Sequence, residues 1–150
     1  MVLKRYKTII SIAIIAPLLV LGNLLTATHP RASADPPSDN GMTGSGIYGD
    51  PFLVTDCVDL QNMGINSSSV YAITQDIDCS DSVNWNSGKG FIPIGLNSDG
   101  SLNAGFSGKL DGKGHTISNI FIDQSSIAVS GGVGLFAEVD AAKINDLSLQ

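Results

Sequence analysis

Apolar and polar positions change their pattern three times along this chain. From Ile9 to Leu25 the residues are almost continuously apolar, interrupted only by Ser11, Pro17, Gly22 and Asn23. From Asp35 to Ser45 (DPPSDNGMTGS) there is little to bury, and that stretch predicts a flexible lead-in. Beyond Gly46 the apolar residues come in short groups separated by Gly, Ser, Asn and Asp, the pattern of short strands joined by turns.

Within that last region, Phe52-Leu53-Val54 predicts a short strand. Thr55 or Asp56 is then placed to cap a helical turn whose apolar stripe is Cys57, Leu60 and Met63, with Gly64 ending it. Val70 to Ile77 alternates, with Tyr71, Ile73 and Ile77 on one side and Gln75 as the exception, and predicts a strand. Phe91-Ile92-Pro93-Ile94 is apolar, but its proline cannot donate to a ladder and argues against a central antiparallel strand.

Ile117-Ser118-Asn119-Ile120-Phe121-Ile122 is echoed by Ile144-Asn145-Asp146-Leu147-Ser148-Leu149, with Ile117, Ile120 and Ile122 matching Ile144, Leu147 and Leu149 at one constant offset. In each copy the apolar spacing is three and then two, where a straight strand would keep two throughout. The extra residue fits a corner at Asn119 and at Asp146, residue types that tolerate left-handed backbone and bond to nearby peptide groups. Recurring strand and bend at a period in the twenties predicts a parallel β-helix, with Asn119 and Asp146 on neighbouring coils. The strand pattern runs to Leu149-Gln150, so further coils are expected to follow.

The first pattern change is the clearest in meaning. Lys4, Arg5 and Lys7 precede the apolar run, and Arg31-Ala32-Ser33-Ala34 follows it. Basic head, apolar run and small-x-small site in that order predict a secretory signal peptide over 1–34, cleaved between Ala34 and Asp35. The alternative is an uncleaved anchor, in which case this segment alone would touch the membrane. A span needs about 20 apolar residues, and this run is short and broken by Pro17 and Asn23. The expected organisation is a leader over 1–34, a linker over 35–45 and the N-terminal part of a β domain over 46–150.

Cleavage sharpens the charge. Four of the 8 basic residues (Lys4, Arg5, Lys7, Arg31) leave with the leader while all 14 acids remain, which takes the net charge from −6 to −10. Such a chain repels nucleic acid and anionic lipid, so a nucleic-acid reader is excluded. In an exported chain, Cys57 and Cys79, the only two cysteines, read first as a disulfide. Two unpaired buried thiols are the alternative. A metal site is weaker, because the only His after the leader, His115, is far along the chain.

The stretch from Phe106 to Ile120 carries Phe106, Gly108, Leu110, Asp111, Gly112, Gly114, His115, Thr116, Ile117, Asn119 and Ile120 at fixed spacing. It resembles the F-x-G-x-x-D-G-x-G-H-T-I-x-N-L pattern found upstream of GLUG repeats. Gly134-Leu135-Phe136-Ala137 with Ile144-Asn145-Asp146-Leu147 resembles the repeat itself, with Ala137 and Asp146 departing from its Gly and Asn. The resemblance covers residues 46–150. It implies an all-β, right-handed parallel β-helix with a short N-terminal capping helix, in a bacterial secreted or cell-surface protein. It also implies a non-catalytic, adhesin-like scaffold, or a region beside an IgA-peptidase type of domain. The partner expected is a host or environmental surface protein or glycan.

Candidate chemistry is sparse. His115 in G-H-T-I reads as a turn-packing residue, since a triad would need a nucleophile and an orienting acid around it. Asp111-Gly112-Lys113-Gly114 reads as a turn, with Gly112 and Gly114 supplying positive φ, and not as a phosphate loop, for no helix follows. Calcium is conceivable at Asp76, Asp78 and Asp81, or at Asn97, Asp99, Ser101 and Asn103, but solvated acidic turns are the simpler reading. Pairs among Asp76, Asp78, Asp81 and Asp99 would be the minimum for a glycan-cleaving enzyme. Trp85 and Tyr48 could stack on sugars, though Trp85 reads better as a cover for the core. No catalytic residue and no cofactor is expected.

Overall fold

The structure, a computed structural model, describes residues 41–125 and 131–150. The leader expected over 1–34 lies outside the described residues, as does the lead-in up to residue 40. Within the rest of the lead-in, Met42 packs into the core and the Thr43 carbonyl accepts from the Leu53 N–H at 2.8 Å.

Strand β1 (Phe52–Val54) feeds directly into helix α1 (Cys57–Asn62). Asp56 caps it: its backbone is extended, and its Oδ1 accepts from the N–H groups of Val58 and Asp59, each at 2.9 Å. Two otherwise unpaired helix donors are satisfied that way. Cys57, Leu60 and Met63 are buried, as their regular spacing along the helix requires. Gly64 does not stop the turn; the chain continues as a 3-10 helix over Met63–Asn66 before entering β2 (Val70–Ile73). The single strand expected from Val70 to Ile77 is two strands: β2 ends at Ile73, the chain bends at Gln75, and β3 (Ile77–Asp78) begins in another sheet. The break in alternation at Gln75 marks that bend.

After β3 come two 3-10 turns, Ser80–Asn84 and Asn86–Gly88, then β4 (Lys109–Asp111), β5 (Thr116–Ser118), β6 (Lys143–Asn145) and β7 (Ser148–Leu149). All strand pairs are parallel. One sheet has the order β1-β2-β4-β6 and the other β3-β5-β7. Phe52, Tyr71, Leu110 and Ile144 stand in register across the first sheet, and Ile77, Ile117 and Leu149 across the second.

The expectation of a right-handed parallel β-helix is corrected by these strands. They are short and form two small sheets, with no long-strand solenoid among the described residues. A solenoid repeats a unit of near-constant length. Here the chain between register partners is uneven: it is shortest from Phe52 to Tyr71, longest from Tyr71 to Leu110, and intermediate from Leu110 to Ile144. The irregularity sits between Cys79 and Gly108, where 3-10 turns and loops replace strand. Phe91-Ile92-Pro93-Ile94 forms no strand; single bridges Gly90↔Ile122 and Ile94↔Phe136 flank Pro93, which has no N–H to give.

The stacking expected from the echoed segments is corrected as well. Asn119 (φ 58°) and Asp146 (φ 51°) both adopt the left-handed backbone that their residue types favour. They do not stack on each other. Asp146 turns the chain after β6, and its carbonyl accepts from Gly114 N–H at 2.8 Å. Asn119 turns the chain after β5 and lies against Asp78 and Gln150. The echo therefore aligned two different corners.

The core lies between the sheets and α1. Val54, Leu60, Met63, Tyr71, Ile73, Phe91, Ile94, Phe106, Leu110 and Ile117 are essentially inaccessible. At roughly 1.5–3 kcal/mol for each large side chain removed from water, they dominate the driving force. An aromatic chain runs through the core: Phe52 to Tyr71 (5.7 Å between centroids), Tyr71 to Phe106 (6.2 Å) and Phe106 to Phe136 (4.9 Å). The Cys57–Cys79 disulfide joins the first residue of α1 to the end of β3.

Candidate functional site

Because side chains alternate along a strand, Tyr71, Leu110 and Ile144 facing inward leave Val70, Ala72, Lys109, Asp111, Lys143 and Asn145 on the outer face of the first sheet. Parallel register puts Val70, Lys109 and Lys143 in one row, and Ala72, Asp111 and Asn145 in the next. Asp111 is the polar centre of this face. Its Oδ2 pairs with Lys113 Nζ at 3.2 Å, and its Oδ1 accepts from Lys113 N–H at 3.1 Å and from Asn145 Nδ2 at 3.3 Å. The Lys113 backbone N–H, followed by the Lys113 side chain and the nearby Lys109 charge, holds its carboxyl below the ordinary range.

Beside the sheet, the turn closed by the Ile47↔Asp50 bridge presents Tyr48, which is 84% exposed. Lys109 Nζ lies 5.2 Å from its ring centroid, a cation–π distance. Between Tyr48 and Pro51 on one side and Lys109 and Lys113 on the other runs a groove of about 280 Å³, floored by Val70 and Ala72. A broader, open groove of about 550 Å³ shares Asp111 and Lys113 with it and extends along Gly114, Asp146, Leu147 and Ser148.

The sequence-derived motif residues are spread over the core and both sheets. Phe106 is fully buried between Tyr71 and Phe136, and Leu135 is buried with its carbonyl accepting from Ile94 N–H at 2.9 Å. Gly108 lies against the Ser69 backbone so closely that a β-carbon would collide with it. Gly112 is required for the same reason, close approach to the backbone of Asp146 and Leu147, and not for positive φ; Lys113 (φ 53°) and Gly114 (φ 79°) carry the left-handed turn. Ile117 is buried, whereas Ile144 is 38% exposed at the open side of the first sheet. Thr116 N–H donates to Asp76 Oδ1 at 2.9 Å, and His115 Nδ1 lies 3.3 Å from the same oxygen. The Thr116 N–H foremost, then His115, lowers the Asp76 pKa. Asp78 accepts from Asn119 Nδ2 and Ser80 N–H, each at 3.0 Å, and these bonds, Asn119 first, lower its pKa too. These carboxylates clamp segments that are distant in sequence.

Of the two stretches weighed for calcium, Asp76 and Asp78 are engaged by Thr116 and Asn119, while the second has local partners. Asp99 accepts from the N–H and hydroxyl of Ser101, and Asn97 Nδ2 donates to that hydroxyl, making a self-contained turn. Among the described residues, no group of three His, Cys, Asp or Glu converges as metal ligands would. Trp85 is buried in the core, so of the two aromatics considered for sugar stacking only Tyr48 faces solvent. The Lys109–Lys143 row escaped sequence reasoning because it depends on a strand register longer than the offset of the echoed segments.

No family model matches the chain. It is similar to halomucin of Haloquadratum walsbyi, at 39% identity over 103 residues. That match takes in 67% of this chain but only 1% of halomucin's own length. No solved structure matches.

Proposed function

We propose that this chain belongs to an extracellular or cell-surface protein, in which the described residues are a non-catalytic, adhesin-like binding module. The observation that carries the reading is the halomucin-like stretch, 39% identical over 103 residues. The Cys57–Cys79 disulfide supports it, because such bonds persist in oxidising surroundings. So does the order of basic head, apolar run and Ala32-Ser33-Ala34 at the N-terminus. The acidic side chains lend themselves to a rigid binding scaffold: Asp76, Asp78 and Asp111 each hold a neighbouring chain segment. The partner class we favour is a glycan or protein on another surface.

The test is surface shaving. An epitope-tagged chain is expressed in its native host, intact cells are treated with protease, and thiols of the denatured chain are labelled before and after reduction. Recovery of the tag from the cell exterior or medium, with both cysteines labelled only after reduction, is the expected result. A tag confined to the cytoplasm with free thiols would end the proposal.

A further inference from the structure

Residues 35–150 contain four lysines (Lys89, Lys109, Lys113 and Lys143) against 14 acids, and three of the four gather on or beside the outer face of the first sheet. Lys109 and Lys143 stand directly opposite each other on adjacent parallel strands. Like charges so placed repel, so the pair is unfavourable for the isolated fold. Asp111 relieves it only in part, since its carboxylate attracts Lys109 but is already paired with Lys113. Among the described residues, neither Lys109 nor Lys143 is in an ion pair. A surface whose few cations are set side by side, on a chain otherwise so acidic, admits an anion here and repels it elsewhere.

The adjoining groove adds shape to that charge. Its volume of about 280 Å³ lies near the lower end for small-molecule sites, room for one ring and not for an extended ligand. One wall is the exposed Tyr48 ring, and the floor is Val70 and Ala72, surfaces that suit the C–H face of a sugar. Asp111, which lines the groove, offers a carboxylate for ring hydroxyls. A free phosphate would use the lysines but neither the aromatic wall nor the apolar floor. A nucleic-acid strand would meet the repulsion of the remaining acids along its length.

We propose that this face binds an acidic glycan, with one sugar ring against Tyr48 in the groove and its carboxylate or sulfate groups on the Lys109–Lys143 row. The inference rests on the binding-module reading above and names its site and ligand class.

The experiment measures binding of the disulfide-intact chain to immobilised chondroitin sulfate and polygalacturonate, with dextran as the neutral glycan and a single-stranded oligonucleotide as the non-sugar polyanion. Wild type should retain the two acidic glycans and neither control. K109Q/K143Q should weaken binding by about tenfold or more, since one charge-assisted hydrogen bond is of that order. Y48A should weaken it too, while K89Q should leave it unchanged. Thermal unfolding of each variant establishes that the fold persists. Failure to bind either acidic glycan, equal binding of the oligonucleotide, or undiminished binding by folded K109Q/K143Q would each overturn the proposal. Binding to dextran or to a surface protein that K109Q/K143Q retains would overturn this site while leaving the binding-module reading in place.

Discussion

Reduction of the Cys57–Cys79 bond offers the sharpest quantitative check on how this fold is held. The bond spans 22 residues and encloses most of α1, the following 3-10 helix, β2 and β3. Constraining a loop of that size in the unfolded chain is worth about 3 kcal/mol on the chain-entropy estimate. The folded state itself should change little, because both cysteines belong to the buried core cluster and the thiols would remain within it. Cys79 is inaccessible and Cys57 nearly so, which means reductant reaches the bond only after unfolding. The protein is therefore reduced in denaturant, refolded with the reductant present, and compared with the oxidised form by urea titration. With a slope of about 1–2 kcal/mol/M, the midpoint should fall by roughly 1.5–3 M. C57A/C79A should lose about 1 kcal/mol more through the space left by the sulfurs. An unchanged midpoint on reduction would refute the reasoning, and would mean that the unfolded chain already keeps these segments together.

Other substitutions separate effects that the sequence alone merges. G112A should cost about 1–3 kcal/mol, because its β-carbon would press on backbone (2.7 Å from Leu147 Cα), while G114A, with open space but φ 79°, should cost about 1 kcal/mol. Equal unfolding midpoints for the two would contradict that account. Tyr71 donates its hydroxyl to the Asn66 carbonyl at 2.8 Å, so Y71F should lose about 1 kcal/mol in urea melts. Burial pushes the Tyr71 pKa from 10.0 to about 12; its contribution is full below 10.0 and lost as pH rises toward 12. A tyrosinate absorbance step near that pH, absent in Y71F, is the measurement. Asp76, Asp78, Asp99, Asp111 and Asp123 all have lowered pKa values, so their contribution is complete above the ordinary 3.8 and fades as pH falls through the lowered values. D76N/D78N should flatten that acid dependence, and stability measured on both sides of pH 3.8 will show whether it does.

Local features were legible in the sequence where a single physical cause dominated. Thr55 or Asp56 before a regularly spaced apolar stripe marked α1, with Asp56 proving to be the cap, and the tolerance of Asn and Asp for left-handed backbone located the corners at Asn119 and Asp146. Cys57 and Cys79 were paired from their number and setting, and they are bonded. What misled was register. The connections between partner strands differ widely in length, that from Tyr71 to Leu110 far exceeding that from Phe52 to Tyr71, so self-similarity in sequence did not coincide with stacking in space. Ile117 resembles Ile144 in its neighbours yet sits opposite Leu149. The candidate groove suffered most, since Tyr48, Val70 and Lys109 meet only once β1, β2 and β4 are aligned. Gly112 was read as a φ-driven glycine because close backbone approach leaves no trace in a single sequence.

The wide separation of strand partners governs how the chain can reach this state. Every ladder between the strands β1 to β7 is parallel and joins segments with a crossover between them, so among the described residues no two of these strands pair as a hairpin that could seed the next pairing. Loop closure must be met before hydrogen bonds repay it, which places the chain among slow folders dominated by distant pairings. Once oxidised, the Cys57–Cys79 bond removes that obstacle from the first crossover only. Later strands then have a finished rim to assemble upon, so refolding should be faster with the Cys57–Cys79 bond intact than with it reduced.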